Sequence, residues 1–157
     1  MAGSSDRGEH TPSDLDELTH KELYILYQET AAHISFAKTQ QWRTFSGTLL
    51  ILVVLLGIVK FVSHEAGYMQ LITISVILIT LTAITMLIIY QFWQHTEAMK
   101  LAAIDHHFSS LFRKIRGYKH KREASIHRYM LLTFMIIGLI LGATVTYSGM
   151  LKVVYNL

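Results

Sequence analysis

Three long apolar stretches, Phe45 to Val62, Met69 to Trp93 and Tyr129 to Leu151, limit what this chain can fold into more than any other feature. Each approaches or exceeds the roughly 20 helical residues that cross a hydrocarbon layer about 30 Å thick. In lipid a backbone without water must satisfy its own hydrogen bonds, which selects helices. The expectation is an all-α integral membrane protein, with three transmembrane helices and long cytoplasmic helical extensions that form a hairpin. With 157 residues, 52% hydrophobic content and one proline, the chain reads as one membrane domain rather than a soluble one. Its parts are a disordered tail over 1–12, a cytoplasmic amphipathic helix over 13–44, and spans at 45–62, 69–93 and 129–151. A basic cytoplasmic helical linker occupies 94–128, and 152–157 is an external tail. The polar, acidic opening carries no pattern of a cleavable signal peptide. With no cysteine there is no disulfide or thiolate metal site to consider.

Orientation follows from charge. Eight of fourteen Lys and Arg residues lie between the second and third spans: Lys100, Arg113, Lys114, Arg116, Lys119, Lys121, Arg122 and Arg128. Lys and Arg stay on the cytoplasmic side, which places this linker and the amino terminus inside and the carboxyl terminus outside. Interfacial aromatics agree, with Trp42, Phe92, Trp93 and Tyr129 at inner ends and Tyr68 and Tyr147 at outer ends. Arg113, Lys114, Arg116, Lys119, Lys121, Arg122 and Arg128 are the candidates for contact with anionic headgroups.

Thr11 as N-cap, Pro12 at the first helical position and acidic Asp14, Asp16 and Glu17 predict a helix start near residue 13. Tyr24, Tyr27, Ala31 and Ile34 then share one face, with Lys21, Gln28, Lys38 and Gln41 directed elsewhere. In the linker, Leu101, Ile104, Phe108, Leu111, Ile115 and Tyr118 follow 3-4-3-4-3 spacing, a seam that calls for a helical partner. The Tyr24 to Ile34 face is the nearest candidate, and an anionic membrane surface is the alternative. Three paths for the linker stay open. They are an upright helix with a nearly taut return, a turn near Ser109 and Ser110, and a tilted helix.

Within the spans, Gly138 and Gly142 form a GxxxG pair extended by Thr146 and Gly149, a small face suited to helix packing inside the chain or to self-association. Thr73, Ser75, Thr80, Thr82 and Thr85 are expected to return their hydroxyls to their own helix backbone. No charge lies at the centre of a span, which argues against a proton relay or a voltage sensor, and Lys60 can reach the outer interface. Nine histidines raise a metal question. His106 and His107 diverge on a helix; His95 and His106 share a face near Glu97; His120 and His127 are seven apart. Glu17-Leu18-Thr19-His20 is a single Glu-x-x-His element, without the second copy that a di-iron bundle requires. Glu29 and His33 fit an ordinary helix-surface pair.

Arg122 and His127 match the Arg-x4-6-His spacing of the HEPN ribonucleases, which would imply RNA cleavage across a dimer. His127 lies two residues before a span, where an RNA backbone has little room, so nucleic acid is not the expected partner. No phosphate-binding loop, nucleophile elbow or HExxH element occurs, and no cofactor is implied. The run Tyr27-Gln28-Glu29-Thr30-Ala31-Ala32-His33-Ile34, continuing through Lys38, Gln40, Gln41 and Trp42 into an apolar span, resembles the opening of SLATT-type effectors and RipA-like octameric membrane proteins. That resemblance covers about residues 20 to 95 and implies a bacterial inner-membrane oligomer, pore-forming in some cases, working beside a cytosolic sensor or nuclease. The third span and the basic linker depart from that two-span pattern. The leading expectation is therefore a non-enzymatic oligomeric effector with a cytosolic protein partner. An accessory subunit of a larger membrane enzyme complex is one alternative, and a membrane-anchored metal or HEPN-like hydrolase is another.

Overall fold

The computed structural model of the chain describes residues 12–13, 15–59, 66–117 and 121–155, with backbone only at 66, 116–117, 121–125 and 154–155. Among these, 94% are helical and none is in a strand. The helices are α1 (Glu17–Val59), α2 (Ala66–Asp105), α3 (Ser110–Gly117) and α4 (Lys121–Tyr155). Three of them, α1, α2 and α4, are long and apolar enough to cross a membrane. Of the residues singled out above, Thr11, Asp14, Lys60, Tyr118, Lys119 and His120 lie outside the described residues.

Helix α1 starts four residues later than the sequence suggests. Asp16 caps it: its Oδ2 accepts the Thr19 N–H at 3.2 Å, and its carbonyl accepts the His20 N–H at 2.9 Å. Hydrogen bonds from Thr19 hold the Asp16 carboxyl below its ordinary value, as a charge-assisted cap requires. Ser13 serves elsewhere, donating its hydroxyl to the His107 carbonyl at 3.0 Å and fastening the entry of α1 to the far end of α2. Of the three linker paths, the chain takes a turn. Helix α2 ends at Asp105, tightens through 3.3 and 3.1 Å bonds from the His106 and His107 amides, and Ser109 caps α3 through the Phe112 and Arg113 amides.

α1 and α2 are antiparallel, and α4 packs against both. The buried residues of α1 are Thr30, Ala37, Gln41, Thr48, Leu52 and Val59, spaced 7-4-7-4-7. An eleven-residue repeat is close to the natural pitch of a helix, so this face stays in line without left-handed supercoiling. On α2, Thr80, Leu87, Gln94 and Leu101, seven residues apart, are buried together with Val76, Ala83, Gln91, Glu97, Ile104 and Asp105. Leu52, Val59, Val76 and Met150 form one apolar core, and Ala83, Leu87, Met135 and Leu139 form the next.

Helix α4 runs parallel to α1 in constant register. A Cβ built on Gly138 would stand 3.0 Å from Phe45 Cε2; on Gly142, 2.9 Å from Leu49 Cδ2; on Gly149, 2.6 Å from Leu56 Cδ1. All three pairs differ by 93 in number, so one face of α4 lies along one face of α1 with glycines where the larger side chains enter. The small-residue face is thus spent inside the chain, with Thr146 buried beside it and bonded to the Gly142 carbonyl at 2.9 Å. Thr73, Ser75, Thr80 and Thr85 each donate to the carbonyl four residues back, at 2.7 to 2.9 Å.

Two expectations about faces are corrected. The inward face of α1 is centred on Thr30, Ala37 and Gln41, not on Tyr24 and Ala31; Tyr24 is 51% exposed while Gln41, expected to point away, is 3% exposed. Gln41 takes its inward position because it bonds across the bundle. The linker seam also divides at the turn: Leu101, Ile104 and Phe108 are buried, whereas Leu111 and Ile115 are exposed. The turn rotates α3 so that Phe112, off the sequence seam, faces inward instead.

Candidate functional site: the polar collar and the aromatic cap

Where the apolar blocks of the three long helices end, their polar residues meet at one level. Gln41 of α1 donates from Nε2 to the Leu87 carbonyl at 3.2 Å and to Gln91 Oε1 at 3.3 Å, and its Oε1 accepts from Gln94 Nε2 at 2.6 Å. Arg128 of α4 donates from Nη1 to the Gln94 carbonyl at 3.3 Å. Gln41, Gln91 and Gln94 are all buried. An amide taken from water without a partner costs about 1 to 3 kcal/mol, so mutual satisfaction of this kind favours a single helix register. Among the described residues no buried side-chain nitrogen or oxygen is without a partner.

One turn further along α2, Glu97 is also buried. Its Oε1 accepts from Lys100 Nζ at 2.8 Å, and its Oε2 lies 3.9 Å from His33 Nδ1 on α1. The Lys100 hydrogen bond, assisted by its charge, holds the Glu97 carboxyl below its ordinary value of 4.5 against the opposing effect of burial. The folded chain therefore binds fewer protons here than the unfolded chain. This contribution to stability is complete above the ordinary carboxylate value and fades as pH falls through the lower folded value. Glu97→Gln should accordingly flatten the acid limb of a stability against pH profile below about pH 4.5. An acid limb unchanged by the substitution, followed by circular dichroism in detergent, would show that this carboxylate does not titrate with unfolding.

Beyond the collar lies an aromatic cap. Phe108 meets His20 edge-on at 5.5 Å, Tyr27 at 5.9 Å and Phe112 at 4.8 Å between centroids, and Phe112 meets Tyr27 at 5.6 Å. Edge-to-face pairs of this kind add about 0.5 to 1.5 kcal/mol each beyond their burial. With Leu101 and Ile104 below, the cap closes the end of the α1–α2 pair. A belt of Phe36 and Trp93, 6.0 Å apart, and Trp42 and Phe45, also 6.0 Å apart, marks the level of the collar.

The residues expected from sequence fall into three places. Leu101, Ile104 and Phe108 are in the cap; Gly138, Gly142 and Thr146 line the α1–α4 contact; Leu111, Ile115, Arg113 and Lys114 sit on the exposed side of α3. Arg128 turns back onto α2. Arg116, Lys121 and Arg122 are described in backbone only, and His127, the second member of the Arg122–His127 pair, is exposed. Glu29 and His33 stand 4.0 Å apart, and His33 reaches Glu97 as well. His95, His106 and His107 are exposed and Glu97 turns away from them; the described residues contain no group of three potential metal ligands. The glutamines of the collar and Glu97 escaped sequence reasoning. Gln94 stands seven residues from both Leu87 and Leu101, a heptad signal obscured by its polarity.

Chemically, the collar joins groups that already satisfy one another, which makes it a means of holding register rather than a reacting centre. Comparison with family models, with curated proteins and with solved structures gives no match.

Proposed function

We propose that this chain is a three-span membrane protein whose work is assembly rather than catalysis, an oligomeric, channel-like effector that offers its hairpin end to a soluble partner. The membrane reading is supported by how little of each apolar window the chain covers for itself, 17% in α1, 28% in α2 and 17% in α4. Such surface needs an apolar solvent. Following the distribution of Lys and Arg, the hairpin and the amino terminus lie in the cytoplasm and the carboxyl terminus outside, and the resemblance to bacterial effectors implies a bacterial inner membrane.

The observation that carries the assembly reading is apolar exposure at the polar end. Leu18 is 67% exposed, Ile25 57% and Ile115 62%, all well beyond the collar, where water would be the solvent. Clustered apolar surface in water marks a surface that meets another protein. The centre of the bundle is filled, with Leu52, Leu87, Met135 and Leu139 at most 2% exposed, so a conducting path would run between copies rather than through one. The test is mass in lipid nanodiscs together with dye release from liposomes. Masses at multiples of the 17.9 kDa chain with accompanying leak are expected. A single-chain mass with no leak would overturn the proposal.

A second reading, an accessory subunit of a larger membrane complex, draws on the shallow apolar groove along α4 lined by Ile126, Tyr129, Met130, Thr133, Phe134 and Ile137. A helix of another chain would fit there. Copurification from native membranes separates the two, since a fixed ratio to another membrane protein favours the subunit and a complex of one polypeptide favours the effector.

A further inference from the structure

The hairpin end carries two exposed faces of complementary chemistry. On α1, Leu18, Glu22, Ile25, Glu29, Ala32 and Phe36 recur at 4-3-4-3-4 spacing and are all exposed. This is an apolar stripe interrupted by acids, with Lys21 at its edge. On α3, Leu111 and Ile115 lie one turn apart and are 44% and 62% exposed, with Arg113 and Lys114 exposed beside them. One face is apolar and acidic, the other apolar and basic.

Their placement decides what they can do. Tyr27 of α1 meets Phe112 of α3, and His20 and Tyr27 meet Phe108 in the turn just before it, which fixes α3 and its turn on that side of α1 and near that height. Leu18 and Ile25 each stand two residues earlier, about 200° around a helix of 3.6 residues per turn. The two faces therefore sit back to back at one level, and α3 cannot reach the stripe of its own chain. They are also too high for lipid. Asp105 lies twelve residues beyond Trp93, about 18 Å at 1.5 Å per residue, so α3 stands clear of the headgroups that meet the aromatic belt.

We propose that α3 of one copy docks on the acidic stripe of α1 of the next, through Leu111 and Ile115 against Leu18 and Ile25 and through Arg113 and Lys114 against Glu22 and Glu29. Copies in one membrane share an orientation, so surfaces of equal height on opposite sides form a head-to-tail contact that repeats. A repeat of that kind closes into a ring when its rotation allows. Charge complementarity sets the register and apolar burial supplies the attraction. The inference rests on the oligomer proposed above and names its contact.

The full chain in nanodiscs tests it with two charge reversals, both at exposed positions and each checked for unchanged helicity. Glu22→Lys with Glu29→Lys leaves the basic α3; Arg113→Glu with Lys114→Glu leaves the acidic stripe. Each variant alone is expected to lose the multimer, because like charges then face each other. Mixed one to one, the two restore it in alternating order, so differently tagged copies copurify in equal amounts. Multimers that survive both reversals would overturn this contact while leaving the oligomer in place. A wild-type monomer in every lipid tested would remove both readings. Loss with Arg113→Glu and Lys114→Glu that mixing does not rescue, and that appears only over anionic lipid, would assign α3 to headgroups and overturn the contact.

Discussion

Phe108→Asp is expected to open the hairpin end of the molecule while leaving the three-helix core folded. Phe108 is 7% exposed and touches His20, Tyr27 and Phe112, so the substitution removes three ring contacts and places a carboxylate among them. Loss of a buried phenyl ring alone costs about 3 to 5 kcal/mol, and an uncompensated buried charge adds to this. Buried Asp105 lies three residues away and raises the repulsion. About 4 kcal/mol corresponds to nearly a thousandfold change in local opening. Hydrogen exchange should therefore accelerate by that order over residues 17–30 and 98–113, with little change over 45–59 and 131–150. Met99→Asp, at a 55% exposed position outside the proposed contact between copies, is the control and should leave the exchange of the cap unaltered. Slow exchange in both variants would mean that Phe108 does not hold the two helices together.

The second large effect is expected from Gly142→Leu. A Cβ at that position would already lie 2.9 Å from Leu49 Cδ2 and 3.4 Å from Leu52 Cδ1, so the rest of a leucine side chain has no space unless α4 leaves α1. Overpacking of this kind costs about 1 to 3 kcal/mol where neighbours can adjust, and sometimes more. Leu49 and Leu52 both belong to packed cores, which restricts adjustment and argues for the upper end. Gly47→Leu is the matched control, since a Cβ there meets nothing within 4 Å. Denaturation in mixed micelles should show the Gly142 variant unfolding at lower denaturant and the Gly47 variant close to the parent. Equal midpoints would contradict the constant register between α1 and α4.

The number of long apolar helices was legible because unbroken apolar runs report it directly. The inward faces were not, and the reason is physical. In a bundle surrounded by apolar solvent the outward residues are as apolar as the core, so hydrophobic periodicity fades and polarity marks the inside instead. Thr48, Thr80 and Thr146 show this, for each is polar and each is buried. Where water would be the solvent, the ordinary rule returned, and Leu101, Ile104 and Phe108 were read from spacing alone. Leu111 and Ile115 were misplaced because the turn at His106 to Ser109 has neither glycine nor proline to announce it. The glycine face of α4 was recognisable as a contact surface, but a motif of small residues does not say which helix it meets.

The polar collar also limits how the molecule can move. Gln41, Gln94 and Arg128 bind all three long helices at a single height, so sliding α2 along its axis by a turn, about 5.4 Å, would strand every one of those groups at once, and sliding α1 or α4 would break the bonds that tie it to α2. Piston strokes are thereby penalised, whereas rocking about the collar keeps its bonds. A force applied at the aromatic cap would reach the opposite end of the bundle as a change of tilt, with the glutamine layer as its fulcrum.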